Sequence, residues 1–299
     1  VEPEHMLLGL LAQGGTAAAV LAARGVTLTR ARAAIKEMAD TDFARVGISL
    51  PDALRPEPIS AEELTAEAGG EIPLSDTAAE FIDNKGTKFN SSAQALQALI
   101  SSSTVSLQSP VVRLLAHCGV DVDCLRTELS EVAADKEPAR GRYRMTDEYR
   151  GYGLDRELSQ ERFISASVAQ LAALLRDPDR LTWWALPRQQ LVEVLSDGAV
   201  QRVEGRRRTV FLRWRLETAA DTRVTWSCTV VSGRRDGEVA FVKDLHLIEA
   251  PGGTRVGLVL AHRTWGRLGA LLYPIVWRGT RLGLENTLAG IARAAAEDS

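Results

Sequence analysis

The sequence predicts two domains: an all-α double-repeat helical bundle, then an α+β domain with an antiparallel sheet and a long carboxy-terminal helix. Three observations support this. The first half contains an imperfect internal repeat, the second half changes to alternating apolar and polar residues, and the chain closes with one long apolar helical stretch. At 299 residues, the chain is long enough for about two domains with separate cores.

The repeat is clearest where a helix ends at a glycine. Residues 18–26 align without a gap with residues 112–120, and both segments end in Gly-Val. A glycine that follows an apolar helix typically adopts the left-handed backbone conformation that ends the helix. We expect a third helix after each glycine, with Thr29 and Asp123 near its capping position.

The first copy opens with Glu4-His5-Met6-Leu7-Leu8-Gly9-Leu10, and a small-residue helix, Gly-Val and a basic amphipathic helix follow. This order, over residues 1–134, resembles the Clp amino-terminal (Clp N) domain, a paired four-helix repeat of Clp unfoldase ATPases. The resemblance implies recognition of client proteins or of Clp protease or unfoldase components, in some members through phosphorylated arginine bound by an acidic residue in each repeat. It gives Glu4 and His5 a peptide-binding role. Ala93 replaces the second acidic residue, which weakens the expectation of phosphoarginine binding.

Other interpretations of this segment stay open. Glu4 and His5 also fit a surface acid beside a histidine that packs at a helix start. The family repeat begins with a further helix, which the second copy places at 74–82 and the first copy lacks. Because the chain starts at Val1 without a methionine, we expect it to be a piece of a longer protein.

Composition and motifs exclude several functions. A formal charge of −3 argues against nucleic-acid binding by the whole chain. No Gly-x-x-x-x-Gly-Lys-Ser/Thr phosphate loop occurs, so any unfolding motor is another protein. The 3 cysteines have no metal-ligand spacing, and their odd number favours a reducing cytoplasm. We expect a bacterial, cytoplasmic protein with no metal, no cofactor and no membrane insertion.

A linker is predicted over 135–157, because this stretch is polar, contains proline and glycine, and has neither helical nor strand periodicity. It contains 3 of the 4 tyrosines, interleaved with arginines. A docking or anion-binding segment is conceivable, but a solvated tether whose tyrosines pack on a neighbouring domain is the simpler interpretation.

The second domain, predicted over 158–299, follows the order strand, helix, strand meander, long helix. A strand is expected over 159–164, a helix over 168–176, and a final helix over 266–297 that Pro274 kinks or interrupts. Alternation of apolar and polar residues predicts further strands over 209–217, 223–231 and 255–262.

This order, with Asp177-Pro178 and Trp183-Trp184 after the first helix, resembles the START-like superfamily, also called SRPBCC or polyketide cyclase-like. The resemblance implies a helix-grip fold, in which a curved sheet wraps around the final helix and leaves a cavity for a small hydrophobic molecule. The residues expected to line it are Trp214, Trp226, His262, Trp265, Leu272 and Trp277. The alternative is that these aromatic residues simply fill the core.

No catalytic constellation is evident, although two candidates exist. His262, on an apolar strand face, fits an acid, a base or a polar anchor, or else a hydrogen-bonded core histidine. Asp244 and His246 share a strand face, and that face is either the cavity side or the solvent side. No Gly-x-Ser-x-Gly or His-Glu-x-x-His motif occurs, and four histidines make a metal enzyme unexpected.

The sequence thus predicts a non-motor adaptor, decoy or regulator around the Clp machinery, with a second domain that binds a hydrophobic small molecule or an unfolded segment. The rival hypothesis is a START-like cyclase or hydrolase-type enzyme whose helical half serves only for assembly. A third is a degenerate scaffold in which neither ancestral pocket binds its ligand.

Overall fold

The structure, a computed structural model, describes residues 2–48, 75, 78–79, 89, 91–101, 109–134, 147–204, 209–264 and 266–298, except the side chains of 133–134 and 266–278. The chain divides into two compact units, one formed mainly by residues up to Glu137 and the other mainly by residues from Pro138. The helix predicted over 74–82 lies almost entirely outside the described residues.

The first unit is helical in its described parts. Its helices are α1 (Pro3–Gln13), α2 (Thr16–Ala23), α3 (Leu28–Arg45), α4 (Ser92–Ser101), α5 (Pro110–His117) and α6 (Val122–Ala134). Each of α1 to α5 buries apolar residues at helical spacing, such as Leu7 and Leu11 in α1 or Leu96 and Ile100 in α4. These buried side chains form the core of the unit.

The two copies of the repeat share the same turn. Gly25 follows α2 with φ 76° and Gly119 follows α5 with φ 82°. Their N–H groups donate to Ala22 O at 2.8 Å and Ala116 O at 2.9 Å, and in both copies the next valine N–H donates to the carbonyl five residues earlier. Both glycines therefore take the left-handed conformation that the repeat predicts.

The capping residues lie two positions before those predicted. Helix α3 is capped by Thr27, whose Oγ1 accepts the Arg30 N–H, whereas Thr29 is within the helix. In the second copy, Asp121 Oδ1 accepts the Cys124 N–H, and Asp123 is already in α6. The prediction was wrong because each helix begins directly after the residue that follows Gly-Val, and a cap must precede the first helical residue.

The second unit contains a sheet of seven antiparallel strands in the order β1-β7-β6-β5-β4-β3-β2. Its elements are α7 (Asp147–Arg150), β1 (Arg156–Ile164), α8 (Val168–Arg176), α9 (Leu181–Trp184), β2 (Leu191–Leu195), β3 (Gly198–Glu204), β4 (Thr209–Ala220), β5 (Arg223–Val230), β6 (Val239–Ala250), β7 (Gly253–His262) and α10 (Gly266–Glu297). Helix α7 and the start of β1 lie inside the stretch predicted as a linker. Helix α10 continues through Pro274 without interruption.

The two faces of the sheet have different partners. We call the face that carries Trp214, Trp226 and Lys243 the inner face, and the opposite face, with Val242 and Ala261, the outer face. Apolar residues of the inner face form one core with α8, α9 and the carboxy-terminal half of α10. A smaller cluster on the outer face includes Tyr149 of α7. Helices therefore cover both faces, but the main core is on the inner one.

Among the described residues, no single helix is both long enough and apolar enough to cross a membrane. The pair α1 and α2 together has the length and composition of a membrane span, but the two helices meet at a bend of 98°.

Candidate functional site

The strand register aligns chemically distinctive side chains on the inner face. Trp226 on β5, Lys243 on β6 and Leu260 on β7 are directly opposite one another. The neighbouring cross-strand row contains Trp214, Cys228, Phe241 and His262. Directly opposite residues on antiparallel strands are within side-chain contact of each other. A lysine thus stands in the middle of an otherwise apolar and aromatic surface.

The Lys243 amine is enclosed between the sheet and two helices. The residue is 8% exposed, and its Nζ donates to Thr287 Oγ1 of α10 at 3.1 Å. Nζ also lies 5.3 Å from the ring centroid of Trp214 and 5.8 Å from that of Trp184 in α9. An ammonium over indole faces gains cation–π stabilisation. The amine is therefore held by one hydroxyl and two indole faces.

Burial controls the protonation of this amine. Loss of solvent lowers the pKa of Lys243 from 10.5 to about 8. Within the described part of the chain, no carboxylate forms an ion pair with it. A buried cation of this kind is costly unless something compensates its charge. The site therefore combines a desolvated cation with aromatic surface and no negative partner from the described residues.

Two titratable inner-face side chains near Lys243, Cys228 and His262, are neutral at pH 7, whereas Arg156 of β1, directly opposite His262, adds a positive charge to this face. Burial raises the pKa of the Cys228 thiol, with a smaller opposing effect of Lys243. Burial also lowers the pKa of His262, although the Asp155 carboxylate opposes this shift. At neutral pH, Lys243 is consequently the principal charge on the central part of the inner face.

The two tryptophans expected on the apolar face play different structural roles. Trp226 is completely buried, and its Nε1 donates to the Leu175 carbonyl of α8 at 2.9 Å, so it joins helix to sheet. Trp214 donates a 2.8 Å hydrogen bond from Nε1 to Gln201 Oε1. Its ring packs edge to face with the Phe241 ring, with the two ring centroids 5.1 Å apart. Because its indole also faces Lys243, Trp214 borders the amine, whereas Trp226 fills the core.

Of the other four residues predicted to line the cavity, the structure describes the side chain of one. His262 is half-buried on the inner face, directly opposite Phe241. Trp265 and the side chains of Leu272 and Trp277 lie outside the described residues.

Asp244 and His246 do share a strand face, but it is the outer one. His246 Nε2 lies 3.3 Å from Asp244 Oδ2, and the Asp244 side chain is 1% exposed. Asp244 also accepts hydrogen bonds from Tyr149 at 2.6 Å, Thr225 at 2.9 Å and Arg223 at 2.7 Å. Burial alone would raise the pKa of Asp244, but these donors, Arg223 foremost, hold it below its ordinary value. The pair is thus part of an outer-face hydrogen-bond network and does not meet His262.

The two residues predicted for peptide binding, Glu4 and His5, both lie in α1 of the first unit. Glu4 is half-buried in the first turn of α1, and its Oε2 is buried without a hydrogen bond from any described group. His5 is exposed, and its Nδ1 accepts the Glu2 N–H at 3.0 Å. Ala93 is 1% exposed in α4. Across the part of the chain that the structure describes, no cluster of three or more metal-ligating side chains occurs.

Sequence reasoning missed Lys243, although the sequence contains a signal. Of 36 basic residues, five are lysines, and Lys243 is the one lysine after residue 136. A chain that uses arginine at nearly every basic position places lysine on the otherwise apolar face of β6, between Phe241 and Leu245. Arginine stays protonated in proteins, whereas lysine changes its pKa readily when buried. That contrast, together with the alternation of β6, marks the position.

Comparison with known proteins gives no matching family model and no matching curated protein. Similar solved structures include TTHA0849 from Thermus thermophilus, at 18% identity and a TM-score of 0.36, which covers 48% of this chain and 99% of that one. CV1439 from Chromobacterium violaceum matches at 14% identity and a TM-score of 0.33, over 46% and 94% of the two chains. Mll3558 from Rhizobium loti matches at 17% identity and a TM-score of 0.34, over 45% and 95%.

The second unit has a helix-grip-like arrangement, in which a seven-stranded antiparallel sheet is followed by the long helix α10. The coarse fold predicted from the sequence is therefore confirmed for this unit. The first unit is helical in its described parts, and its relation to the Clp amino-terminal repeat stays a prediction.

Proposed function

We propose that the second unit binds a small hydrophobic molecule between the inner face of its sheet and α10, with the polar group of that molecule at Lys243. The observation that carries this proposal is the buried amine between Trp184 and Trp214, with no carboxylate partner among the described residues. Ligand sites typically combine apolar and aromatic walls with a few polar groups that orient the ligand.

Apolar surface beside the amine supports the proposal. Phe241, two residues from Lys243 on the same strand face, and Leu260, directly opposite it, are only half-buried. Fully packed cores leave such side chains without exposure. These residues therefore offer apolar contact area next to Lys243 that the core has not consumed.

For the first unit, we propose recognition of a protein or peptide, so that the whole chain acts as a non-motor adaptor, decoy or regulator of the Clp machinery. The grounds are the resemblance to the Clp amino-terminal repeat and the buried Glu4 oxygen without a described hydrogen bond. A peptide that carries arginine or phosphoarginine tests this role. Glu4→Gln should weaken its capture by the full chain, while Glu131→Gln, an exposed acid on α6, should leave it unchanged.

Native mass spectrometry of the full chain, compared with the denatured mass, tests the ligand proposal. A retained apolar compound that is lost on unfolding would support it, and its identity would define the ligand class. If no compound is retained and no hydrophobic probe binds, the proposal fails.

A cyclase or hydrolase-type enzyme is the second candidate function. The observation in its favour is that His262, neutral at pH 7, lies one cross-strand row from Lys243. Turnover that is lost in His262→Ala but kept in His246→Ala would favour this candidate, since His246 is on the outer face.

A further inference from the structure

We propose that Lys243 is an acid-binding site: the ligand of the second unit carries an anionic group, such as a carboxylate or sulfonate, which pairs with the Lys243 ammonium while its apolar body contacts the inner face. This inference rests on the proposed binding function and specifies its ligand.

The first argument is the unmet hydrogen-bonding capacity of the amine. A lysine ammonium has three N–H donors. One reaches Thr287 Oγ1, which itself donates to the Gly283 carbonyl. The indoles of Trp184 and Trp214 supply π faces rather than acceptor oxygens. An anion with two or three oxygens would accept the remaining N–H groups in charge-assisted hydrogen bonds.

The second argument is charge complementarity. The groups that face Lys243 from neighbouring elements are uncharged at pH 7: Cys228 on β5, Trp214 on β4, Trp184 on α9 and Thr287 on α10. His262 on β7 is neutral as well because burial lowers its pKa, and Arg156 on β1, directly opposite His262, adds a second positive charge rather than a negative one. A positive charge in neutral, low-dielectric surroundings attracts an anion much more strongly than a surface lysine does.

The third argument is the choice of lysine in a chain rich in arginine. In the empty site, lysine can release its proton as the pH rises, with a pKa of about 8. A bound anion stabilises the ammonium and raises this pKa, so binding takes up a proton above pH 8. The affinity for an acid should therefore fall about tenfold per pH unit above that value, until the pKa of the complex is reached.

A matched pair of fluorescent probes tests the proposal on the full chain. The probes are 1-anilinonaphthalene-8-sulfonate and N-phenyl-1-naphthylamine, which differ in the sulfonate group. We expect Lys243→Met to weaken binding of the sulfonate about 10- to 100-fold, the usual effect of losing a charge-assisted contact, and to leave binding of the uncharged amine unchanged. Lys36→Met, at an exposed lysine of α3, is the control and should change neither.

The pH dependence provides a second readout. The sulfonate probe does not titrate between pH 7 and 10, and neither the Cys228 thiol nor His262 titrates near pH 8. In the wild type, its affinity should fall above pH 8, and in Lys243→Met it should not. Lys243→Gln, which keeps a hydrogen-bond donor for Thr287 but loses the charge, serves as the second variant if the methionine variant does not fold.

The possible results separate the two proposals. Equal binding of the sulfonate by the wild type and both Lys243 variants overturns the acid-binding inference, while binding of the uncharged probe still supports a hydrophobic site. A covalent adduct on Lys243, trapped by borohydride with a retained natural ligand, also overturns it, because the amine would then form an imine. Failure of the wild type to bind either probe overturns both proposals.

Discussion

The Tyr149 hydroxyl donates a 2.6 Å hydrogen bond to Asp244, which fixes α7 to the outer face of the sheet. Both residues are buried, at 4% and 1% exposure. The same carboxylate accepts hydrogen bonds from Arg223 and Thr225, so one buried acid joins α7, β5 and β6. A buried carboxylate is stable only when such donors replace water.

Tyr149→Phe should destabilise the second unit by about 1.5 to 3 kcal/mol, because it removes a hydrogen bond to a charged, buried group. Urea unfolding followed by tryptophan fluorescence reports on this unit, since all 6 tryptophans lie between 183 and 277. Tyr152→Phe, in the same apolar cluster, is the control. Equal stability of wild type and Tyr149→Phe would mean that the bond contributes nothing.

Acid should weaken the second unit through Asp244. The folded pKa of this carboxyl lies below its ordinary value of 3.8. Its contribution is therefore complete above the unfolded pKa and is lost as the pH falls through the folded pKa. Urea unfolding between pH 6 and 2.5 should show a shallower acid decline in Asp244→Asn than in the wild type.

At pH 7, Asp244→Asn should also lower the free energy of unfolding by about 3 kcal/mol, because Arg223 loses its buried partner. Asp221→Asn removes an ion pair to Arg176 at an exposed position and should change stability by less than about 0.5 kcal/mol. If both variants behave alike, burial of Asp244 is not the source of its effect.

Lys243→Met should stabilise the second unit at pH 7. The folded pKa of Lys243 is about 8, against 10.5 for the free side chain. Below pH 8 the folded protein therefore bears the full cost of a buried charge, about 3 kcal/mol, and this cost disappears as the pH rises from 8 toward 10.5. The difference in unfolding free energy between Lys243→Met and wild type should accordingly shrink between pH 7 and 10. A constant difference would contradict the lowered pKa.

The two glycines of the repeat should respond alike to alanine. Gly25→Ala and Gly119→Ala force a side chain into the left-handed region, at a cost of about 1 to 2 kcal/mol each. A Cβ added at Gly25 would lie 3.8 Å from Arg30 Nη1, and one added at Gly119 would have no atom within 4 Å. Backbone strain, not a steric clash, therefore sets this cost.

Gly9→Ala, within α1 and with open space around it, should instead gain about 0.5 to 1 kcal/mol. Thermal unfolding followed by circular dichroism measures all three variants, since the helical unit contains no tryptophan. Unequal losses at Gly25 and Gly119 would show that the two turns are not equivalent.

Local patterns in the sequence predicted much of the backbone. Helix α8 and helix α10 have the predicted bounds, and three predicted strands match β4, β5 and β7 to within a few residues. The inward direction of Trp214 and Trp226 also followed from alternation, since side-chain period in a strand is a local property. No bounds were predicted for β2, β3 and β6. In β2, at the edge of the sheet, and in β3 beside it, the alternation of apolar and polar residues is too weak to indicate a strand.

The sequence by itself determined which residues alternate, where helices end at glycine, and that Asp244 and His246 share one strand face. Only the tertiary structure decided which face that is, because the same pattern fits a sheet covered on either side. It also brought Thr287 and two tryptophans from distant parts of the chain to the Lys243 amine. The charge state of a buried group depends on such long-range neighbours, which no local pattern contains.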